Sequence, residues 1–351
     1  MRSPTRLTLN DVARHAGVSR GTASNVFTHP DRVRPEVRER VEAVAREIGY
    51  GGPDPRGRLL RAGKFNAIGY VVPGAYGFVN LLESPYGREM ILGVSEACDA
   101  AGVSLTLIDG RPEQIDAAID NALIDGLIVG NGGNVAILER AARRRMRIAI
   151  VDVGAGPDVS SVGIDAYGGA RLAAEHLTAL GHRRFAIISV RRTQGPPLVH
   201  APGRTATEIT DGRQLDREKL RGYTEALAES GISIHDVPLL ETVPWQTDIG
   251  LALRAAAPEA TAVLVMSDRQ ALTLLCDLAR LDVQVPEQLS IIGFDGVGEA
   301  ADSQPPLTTI EQPIREKARR AAEFALADTP PEQVILPVKL VVRASTGPVP
   351  A

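Results

Sequence analysis

Residue types that perform covalent or metal chemistry are present in this 351-residue chain, but not in the arrangements such chemistry needs. The six histidines are scattered and never stand at ligand spacing with Cys98 or Cys276, so no metal set is expected, and no cofactor. The two cysteines lie in helix-like runs, GVSEACDAAG and LTLLCDLAR, and read as small buried hydrophobes in a reducing compartment. There is no phosphate-cradling Walker loop, and no nucleophile elbow joins a strand to a helix. The string GFDGVG at 293–298 has the wrong spacing for a dinucleotide fingerprint. What remains is recognition chemistry, concentrated near the N-terminus. Residues 1–64 hold 13 Arg and Lys against seven Asp and Glu, a net of +6, while the rest of the chain carries −10 toward the total of −4. A basic head on an acidic body points to contact between the head and an anionic polymer.

Side chains that read a polymer must be held on rigid elements. Thr8 precedes LNDVARHAG and can cap a helix with Asp11 three residues on. Leu9, Val12, Ala13 and Ala16 share one face of it, and Gly17 supplies the turn that ends it. Val18 packs down, and Ser19 can cap a second short helix, RGTASNVF. Pro35 opens a third, with Val37, Val41, Val44 and Ile48 as its apolar stripe and Gly49 as its stop. Two helices joined by a tight glycine turn, with a third beneath, are the geometry of a helix-turn-helix.

From residue 65 onward, short apolar runs alternate with amphipathic segments. AIGYVVP, VSLTLID, DGLIVGN, RIAIVDV, SVGID, RFAIISV, TAVLVMSD and LSIIGFD read as strands, most followed by a helix. This is the pattern of parallel α/β sheets with crossover helices, in a number that suits two doubly wound lobes. With 44% hydrophobic but only 4% aromatic residues, the core must rest on Ala, Val, Leu and Ile. No run is long enough to span a membrane and no apolar leader opens the chain, so a cytoplasmic protein without membrane contact is expected.

The string LTLNDVARHAGVSRGTASNVF, then VRPEVRERVEAVAREIGY, then PDPRGRLLRAGK, resembles the lactose-repressor (LacI/GalR) family of transcriptional regulators nearly position by position. The resemblance implies an all-α headpiece at 1–52 whose second helix enters the major groove of double-stranded operator DNA. Arg20 and Gly21 would then face base edges. Arg20 suits a bidentate contact to guanine, and Gly21 permits close approach. Asn25 stands where the family often has arginine, and its amide suits adenine. Ser19, Thr22, Ser24 and Thr28 fit phosphate contacts, and Arg32 adds charge nearby. Residues 53–64 correspond to the family's hinge helix. Leu60 is its minor-groove wedge and Arg58 its basic partner, although Pro55 and Gly57 replace good helix formers.

The resemblance continues through VDVGAGPDVSSVGIDAYGGARLAAEHLTALGHRRFAIIS, LSIIGFDGVGEAADSQPPLTTIEQP and VILPVKLVVRAST, and implies a periplasmic-binding-protein-like core. Its first lobe is expected at 65–161 plus 291–326, its second at 162–290 plus 327–345, and a tail at 346–351. A small effector lies between the lobes, near the carboxyl ends of the strands. By alignment, Trp245 stacks on the ligand, Asp295 and Asp152 accept its hydrogen bonds, and Ser267 and Asp268 replace the usual Asn-Asp. Lys219 stands where the family has arginine, with Arg221 beside it. Tyr76, Phe78 and Tyr86 flank the first crevice loop as pocket candidates. A sugar or sugar derivative is the family's commonest effector class, and a nucleoside or purine is the alternative.

The polar, Gly- and Pro-rich stretch at 191–215 is longer than the family needs there. It reads as a functional loop beside the cleft, such as a lid, or as a disordered segment. The tail ASTGPVPA lacks the leucine heptads of the family's tetramers, which implies a homodimer on a two-fold operator. Taken together, the expectation is a repressor that is not an enzyme. The basic head and the missing leader weigh against a transport solute-binding protein.

Overall fold

The computed structural model describes residues 7–52, 63–73, 77–130, 135–152, 156–191, 195–203 and 214–350. They divide into two compact units, Met1–Phe65 and Asn66–Ala351.

In the first unit, α1 (Leu9–His15), α2 (Arg20–Thr28) and α3 (Pro35–Ile48) enclose a core of Val12, Ala13, Ala16, Ala23, Val26, Val41 and Ala45. Asp11 receives hydrogen bonds from the Thr8 backbone N–H at 3.0 Å and from the Thr8 hydroxyl at 2.7 Å, which pins the start of α1. Those bonds hold the Asp11 carboxyl below the usual carboxylate range. Gly17 takes φ +64°, a left-handed turn that costs an L side chain about 1 kcal/mol or more. The turn redirects the chain into α2 within three residues. Phe27 meets Tyr50 edge-on, with ring centroids 5.8 Å apart, and closes the far side of the bundle.

The second unit contains two sheets. The first has the order β12-β5-β4-β3-β1-β2, with every pairing parallel. Its strands are β1 (Ala67–Pro73), β2 (Ser104–Gly110), β3 (Gly126–Gly130), β4 (Arg147–Val151), β5 (Ser160–Ile164) and β12 (Gln333–Leu336). The second sheet has the order β13-β11-β10-β9-β6-β8-β7. Its strands are β6 (Phe185–Val190), β7 (Leu198–His200), β8 (Leu239–Thr242), β9 (Ala262–Val265), β10 (Ser290–Asp295), β11 (Thr308–Glu311) and β13 (Lys339–Val341). Its five central strands are parallel, and the edge strands β7 and β13 are antiparallel. The two doubly wound lobes expected from the alternating pattern are therefore present. Strand order reverses beside β1 in the first sheet and beside β6 in the second, and ligand crevices form at such reversals.

Three lobe boundaries need correction. Residues 162–164 belong to the first lobe, because β5 runs to Ile164 within the first sheet. Residues 291–311 belong to the second lobe, because β10 pairs with β9 (Ser290 opposite Ala262) and β11 pairs with β10. Of the expected 291–326 segment, only the C-terminal helix Ile314–Leu326 joins the first lobe. The segment around β12 also belongs to the first lobe, because Gln333–Leu336 pairs with β5. Part of the long stretch after β6 is ordered as well: β7 adds an edge strand to β8, and His200 Nε2 lies 2.5 Å from the buried Glu241 carboxylate.

Packing within the lobes is close because the helices meet through small side chains. The helices Pro85–Ala101 and Ile314–Leu326 approach at Gly93, where an added Cβ would fall 2.2 Å from the Arg315 carbonyl oxygen. Alanines fill the interior face of Ile314–Leu326 at 318, 321, 322 and 325. Cys98 is buried as expected, but Cys276 is exposed. It lies off the stripe of Ala271, Leu274, Leu275 and Leu278 that its helix, Asp268–Arg280, buries. None of the helices in the described residues is long and apolar enough to cross a membrane.

Candidate functional site

Helix α2 buries Ala23 and Val26 and turns its other face outward. Ser19 caps the helix, accepting from the Thr22 N–H at 3.0 Å, and its hydroxyl lies 2.9 Å from the Thr22 hydroxyl. Arg20, Gly21 and Asn25 are exposed, as is Arg32 just beyond, while Thr22, Ser24 and Thr28 are half-buried. The Thr28 hydroxyl donates to the Ser24 carbonyl at 2.9 Å. At Gly21 an added Cβ would meet only the Ser19 hydroxyl oxygen, at 3.7 Å, so the headpiece itself does not require glycine there. The face thus combines one long cation, one amide and a gap, on a helix whose N-terminal dipole also favours anions. Arg58 and Leu60 lie outside the described residues, as does Tyr76.

In the core, strand ends from both lobes converge on one cavity, of about 780 Å³ with its open mouth included. The first lobe contributes Tyr70, Tyr86, Met90 and Asp152; the second contributes Leu215, Lys219, Ser267, Arg269 and Asp295. Gln312, in the segment that crosses between the lobes, lies in the wall. The carboxylates are placed in a similar way. Asp152 follows β4 at φ +70°, and Asp295 ends β10 at φ +140°. Non-glycine residues rarely hold such backbone angles, and where they do, the surrounding structure enforces them.

A chain of hydrogen bonds links the two carboxylates. Lys317, on the helix Ile314–Leu326, donates to Asp152 Oδ1 at 2.5 Å, Gln312 Oε1 at 2.7 Å and the Tyr86 hydroxyl at 3.0 Å. The Tyr86 hydroxyl in turn donates to Asp152 Oδ2 at 3.1 Å. Gln312 Nε2 donates to Asp295 Oδ1 at 2.8 Å, and the Ser267 hydroxyl donates to Asp295 Oδ2 at 3.2 Å. Lys219 donates to the Met266 carbonyl at 2.8 Å and sits 3.7 Å from the centroid of the Phe294 ring. Burial pushes the Asp295 carboxyl up, while Lys219, Lys317, Gln312 and Ser267 pull it back. The Tyr86 hydroxyl is pushed well above its ordinary value, first by burial and then by the charge on Asp152. Across the mouth, Arg269 donates to the Asn80 carbonyl at 3.3 Å, and Arg88 pairs with Glu299.

The remaining expected pocket residues lie elsewhere. Asp268 is fully buried behind the wall and lines no part of the cavity. It accepts from the N–H groups of Gly296 (2.7 Å) and Val297 (3.1 Å) and from the Thr309 hydroxyl (2.6 Å), and so anchors the turn that carries Asp295. Burial and the charge on Asp295 push its carboxyl up to about 7 against those three donors. Arg221 is exposed, pairs with Glu218, stacks over Tyr167 at 4.0 Å, and lines an adjoining cavity. Phe78 is 39% exposed on the short helix Gly77–Glu83, and Trp245 is half-buried; neither lines the cavity, although Pro244 does.

Neither Lys317 nor Gln312 stands out by motif. Lys317 does carry a signal: it sits three residues after Ile314, on the same stripe as Ala318, Ala321 and Ala325, so a cation interrupts an otherwise apolar helix face. Among the described residues, no cluster of His, Cys, Asp and Glu can hold a metal ion.

Residues 8–52 match the profile described as bacterial regulatory proteins, lacI family, and residues 174–346 match that of the periplasmic binding protein-like domain. An HTH-type transcriptional regulator of Mycobacterium tuberculosis is 33% identical, with 99% of each chain covered. The HTH-type transcriptional regulator CelR of Thermobifida fusca is 30% identical, over 97% of this chain and 98% of that protein. The solved CelR–cellobiose complex superposes with a TM-score of 0.66 at 27% identity, covering 97% of this chain and 100% of that one. The lac repressor dimer bound to operator and the anti-inducer ONPF shares the fold, with a TM-score of 0.71 at 24% identity over 98% and 100% of the chains.

Proposed function

The chain belongs to the lacI family of bacterial regulatory proteins and is a ligand-responsive DNA-binding transcriptional regulator, and we propose that it is a cytoplasmic repressor controlled by a sugar or sugar derivative held between its lobes. The observation that carries this reading is the facing pair of carboxylates, Asp152 and Asp295, one at a strand end of each lobe. Carboxylates are pure acceptors when ionised, and hydroxyl groups are the donors that suit them. The Tyr70, Tyr86 and Met90 side chains give the rest of the wall an apolar character suited to the C–H faces of a ring. The complex of CelR, a 30% identical relative, contains cellobiose, which supports a sugar here. The relatives are transcriptional regulators, which supports a ligand that is bound and released unchanged.

The operator-bound relative is a dimer, which supports a homodimer for this chain. Two copies of α2 then enter successive major grooves of a pseudo-palindromic site, with Arg20 on guanine and Asn25 on adenine. Ser19, Thr22, Ser24 and Thr28 hold the phosphates, and Arg32 adds long-range attraction. Arg58 and Leu60 belong to the minor-groove segment. The ligand changes DNA affinity only by as much as it distinguishes the two lobe arrangements.

The test is thermal unfolding of the purified protein against neutral sugars, sugar phosphates, polyols, nucleosides and purines. A ligand at a hundred times its Kd adds about 2.7 kcal/mol to native stability, which raises the midpoint measurably. A sugar hit is expected, and a purine or nucleoside hit with no sugar hit would replace this reading. Selection of bound duplexes from random DNA should return a two-fold symmetric site, and an asymmetric consensus would refute the dimer.

A further inference from the structure

Lys317 is fully buried and lines no part of the cavity, yet all three acceptors of its ammonium group do. An ammonium has three donors and no acceptor, so these bonds saturate it and leave nothing for a ligand. They also orient Gln312. A lysine donor can face only the amide oxygen, so Gln312 must present its nitrogen to Asp295 Oδ1, as it does at 2.8 Å. One cation thereby sets the state of groups in both lobes. We infer that Lys317 is a positioning and specificity-determining residue of this pocket: it holds the Asp152 carboxylate in place, turns the Gln312 amide nitrogen toward Asp295, and so fits the site to an uncharged ligand rich in hydroxyl donors rather than to an anion. This rests on the cavity's being the effector site.

The surroundings agree with that role. Lys219 spends its charge beside Asp295, on the Met266 carbonyl and the Phe294 ring, so each lobe pairs one carboxylate with one buried lysine. Among the described residues, the other ionisable groups near the pair are Tyr70 on β1, Tyr86 on the helix Pro85–Ala101, Asp268 behind Asp295 and Arg269 at the mouth, together with Asp165, Tyr167, Glu218 and Arg221 around the adjoining cavity that Asp152 also lines. Glu89 and Glu96 are occupied on the outer side by Arg315. Lys317 is thus the cation that hydrogen-bonds Asp152, and removing it would leave that buried carboxylate without its charged partner.

The experiment compares wild type, Lys317→Met and the double variant Asp152→Asn/Lys317→Met by thermal unfolding, and titrates each with D-ribose and cellobiose and with their anionic counterparts, ribose 5-phosphate and cellobionate. Wild type should be stabilised by a neutral sugar and not by the anions, and Lys317→Met should lose about tenfold or more in sugar affinity. The double variant, in which no carboxylate is left without its partner, should unfold at a higher midpoint than Lys317→Met. Sugar affinity retained in Lys317→Met, or a double variant no more stable than it, would overturn the positioning role. Stabilisation of wild type by the anions alone would overturn the ligand class. If nothing in the panel stabilises wild type while the double variant recovers the midpoint, the sugar reading falls and the role of Lys317 stands.

Discussion

Replacing Asp268 tests whether the turn that holds Asp295 depends on one buried acceptor. In Asp268→Ala, the Gly296 and Val297 N–H groups and the Thr309 hydroxyl all lose their partner in the interior. Each buried unsatisfied donor costs about 1–3 kcal/mol; with partial relief from removing a carboxyl beside Asp295, the expected loss is about 3–5 kcal/mol. At about 2 °C per kcal/mol for a domain of this size, the midpoint should fall by roughly 6–10 °C. Asp268→Asn should behave differently. Its oxygen can take the two N–H groups, and its nitrogen can donate to the Thr309 hydroxyl, which is free to rotate. The substitution should therefore cost about 1 kcal/mol or less. The wild-type carboxyl is raised to about 7 in the folded state from an ordinary 3.8. Folded protein thus binds more protons than unfolded protein between about pH 4 and 7, and the stability this contributes is lost as pH rises through that window. Asparagine has no such dependence, so the comparison should shift toward Asp268→Asn as pH rises from 4 to 7 and level off above. Differential scanning fluorimetry across that range, with urea unfolding at pH 7 as a check, measures all three proteins. Equal losses for alanine and asparagine, or an alanine loss under about 1 kcal/mol, would refute the anchoring role.

Gly21→Ala should stabilise the headpiece by up to about 1 kcal/mol, since the added Cβ meets only the Ser19 hydroxyl oxygen, yet weaken operator binding in an anisotropy titration. Unchanged affinity would mean that nothing approaches that face closely. Arg20→Ala should lose about 1–3 kcal/mol of operator affinity and relax preference at one base pair; a loss that is uniform over all sequences would make it a phosphate contact instead. Asp152→Ala and Asp295→Ala should each abolish the midpoint rise given by the effector while leaving operator binding in its absence, and retention of the rise in both would move the effector elsewhere. His182 is fully buried, with ring nitrogens on Thr261, Ser290 and the Gly347 carbonyl, and burial lowers its pKa and that of His176. A histidine with a depressed folded pKa adds stability above about pH 6.5 that is lost as pH falls through the folded value, at up to about 1.4 kcal/mol per pH unit. The urea midpoint of wild type should fall relative to that of His182→Gln as pH drops below 6.5, a comparison in which the opposite contribution of Asp268 cancels; a constant difference would refute it.

Local pattern carried most of the architecture. The headpiece was legible because its signals are short-range: the Thr8 and Asp11 pair, Gly17, the Ser19 cap and the period of Val37, Val41, Val44 and Ile48 each act within about one helical turn. Eight of the thirteen strands among the described residues were legible as apolar runs. By contrast, β7, β8, β11, β12 and β13 span three or four residues, and what makes them strands is a partner distant in sequence. That is also why the lobe boundary slipped at 291–311: hydrogen-bond register, not composition, decides which sheet a strand joins.

At the pocket, the resemblance places Asp152, Ser267, Asp295 and Lys219 at strand and helix ends and Tyr86 beside the first crevice loop, and all five line the cavity. Alignment cannot tell a side chain that faces the cleft from one a turn away that faces the core, so Asp268 was grouped with its neighbour Ser267, although it points at the 296–297 turn instead. Lys317 lies 165 positions from Asp152 and five from Gln312. Burying an ammonium is tolerable only where acceptors converge on it, and that convergence exists only once β4, the crossing segment and the C-terminal helix have packed together. Sequence alone determined the helix-turn-helix, the alternating α/β order and the family. Tertiary structure decided which charges meet, because the energy of a buried charge depends on neighbours that the chain brings from elsewhere.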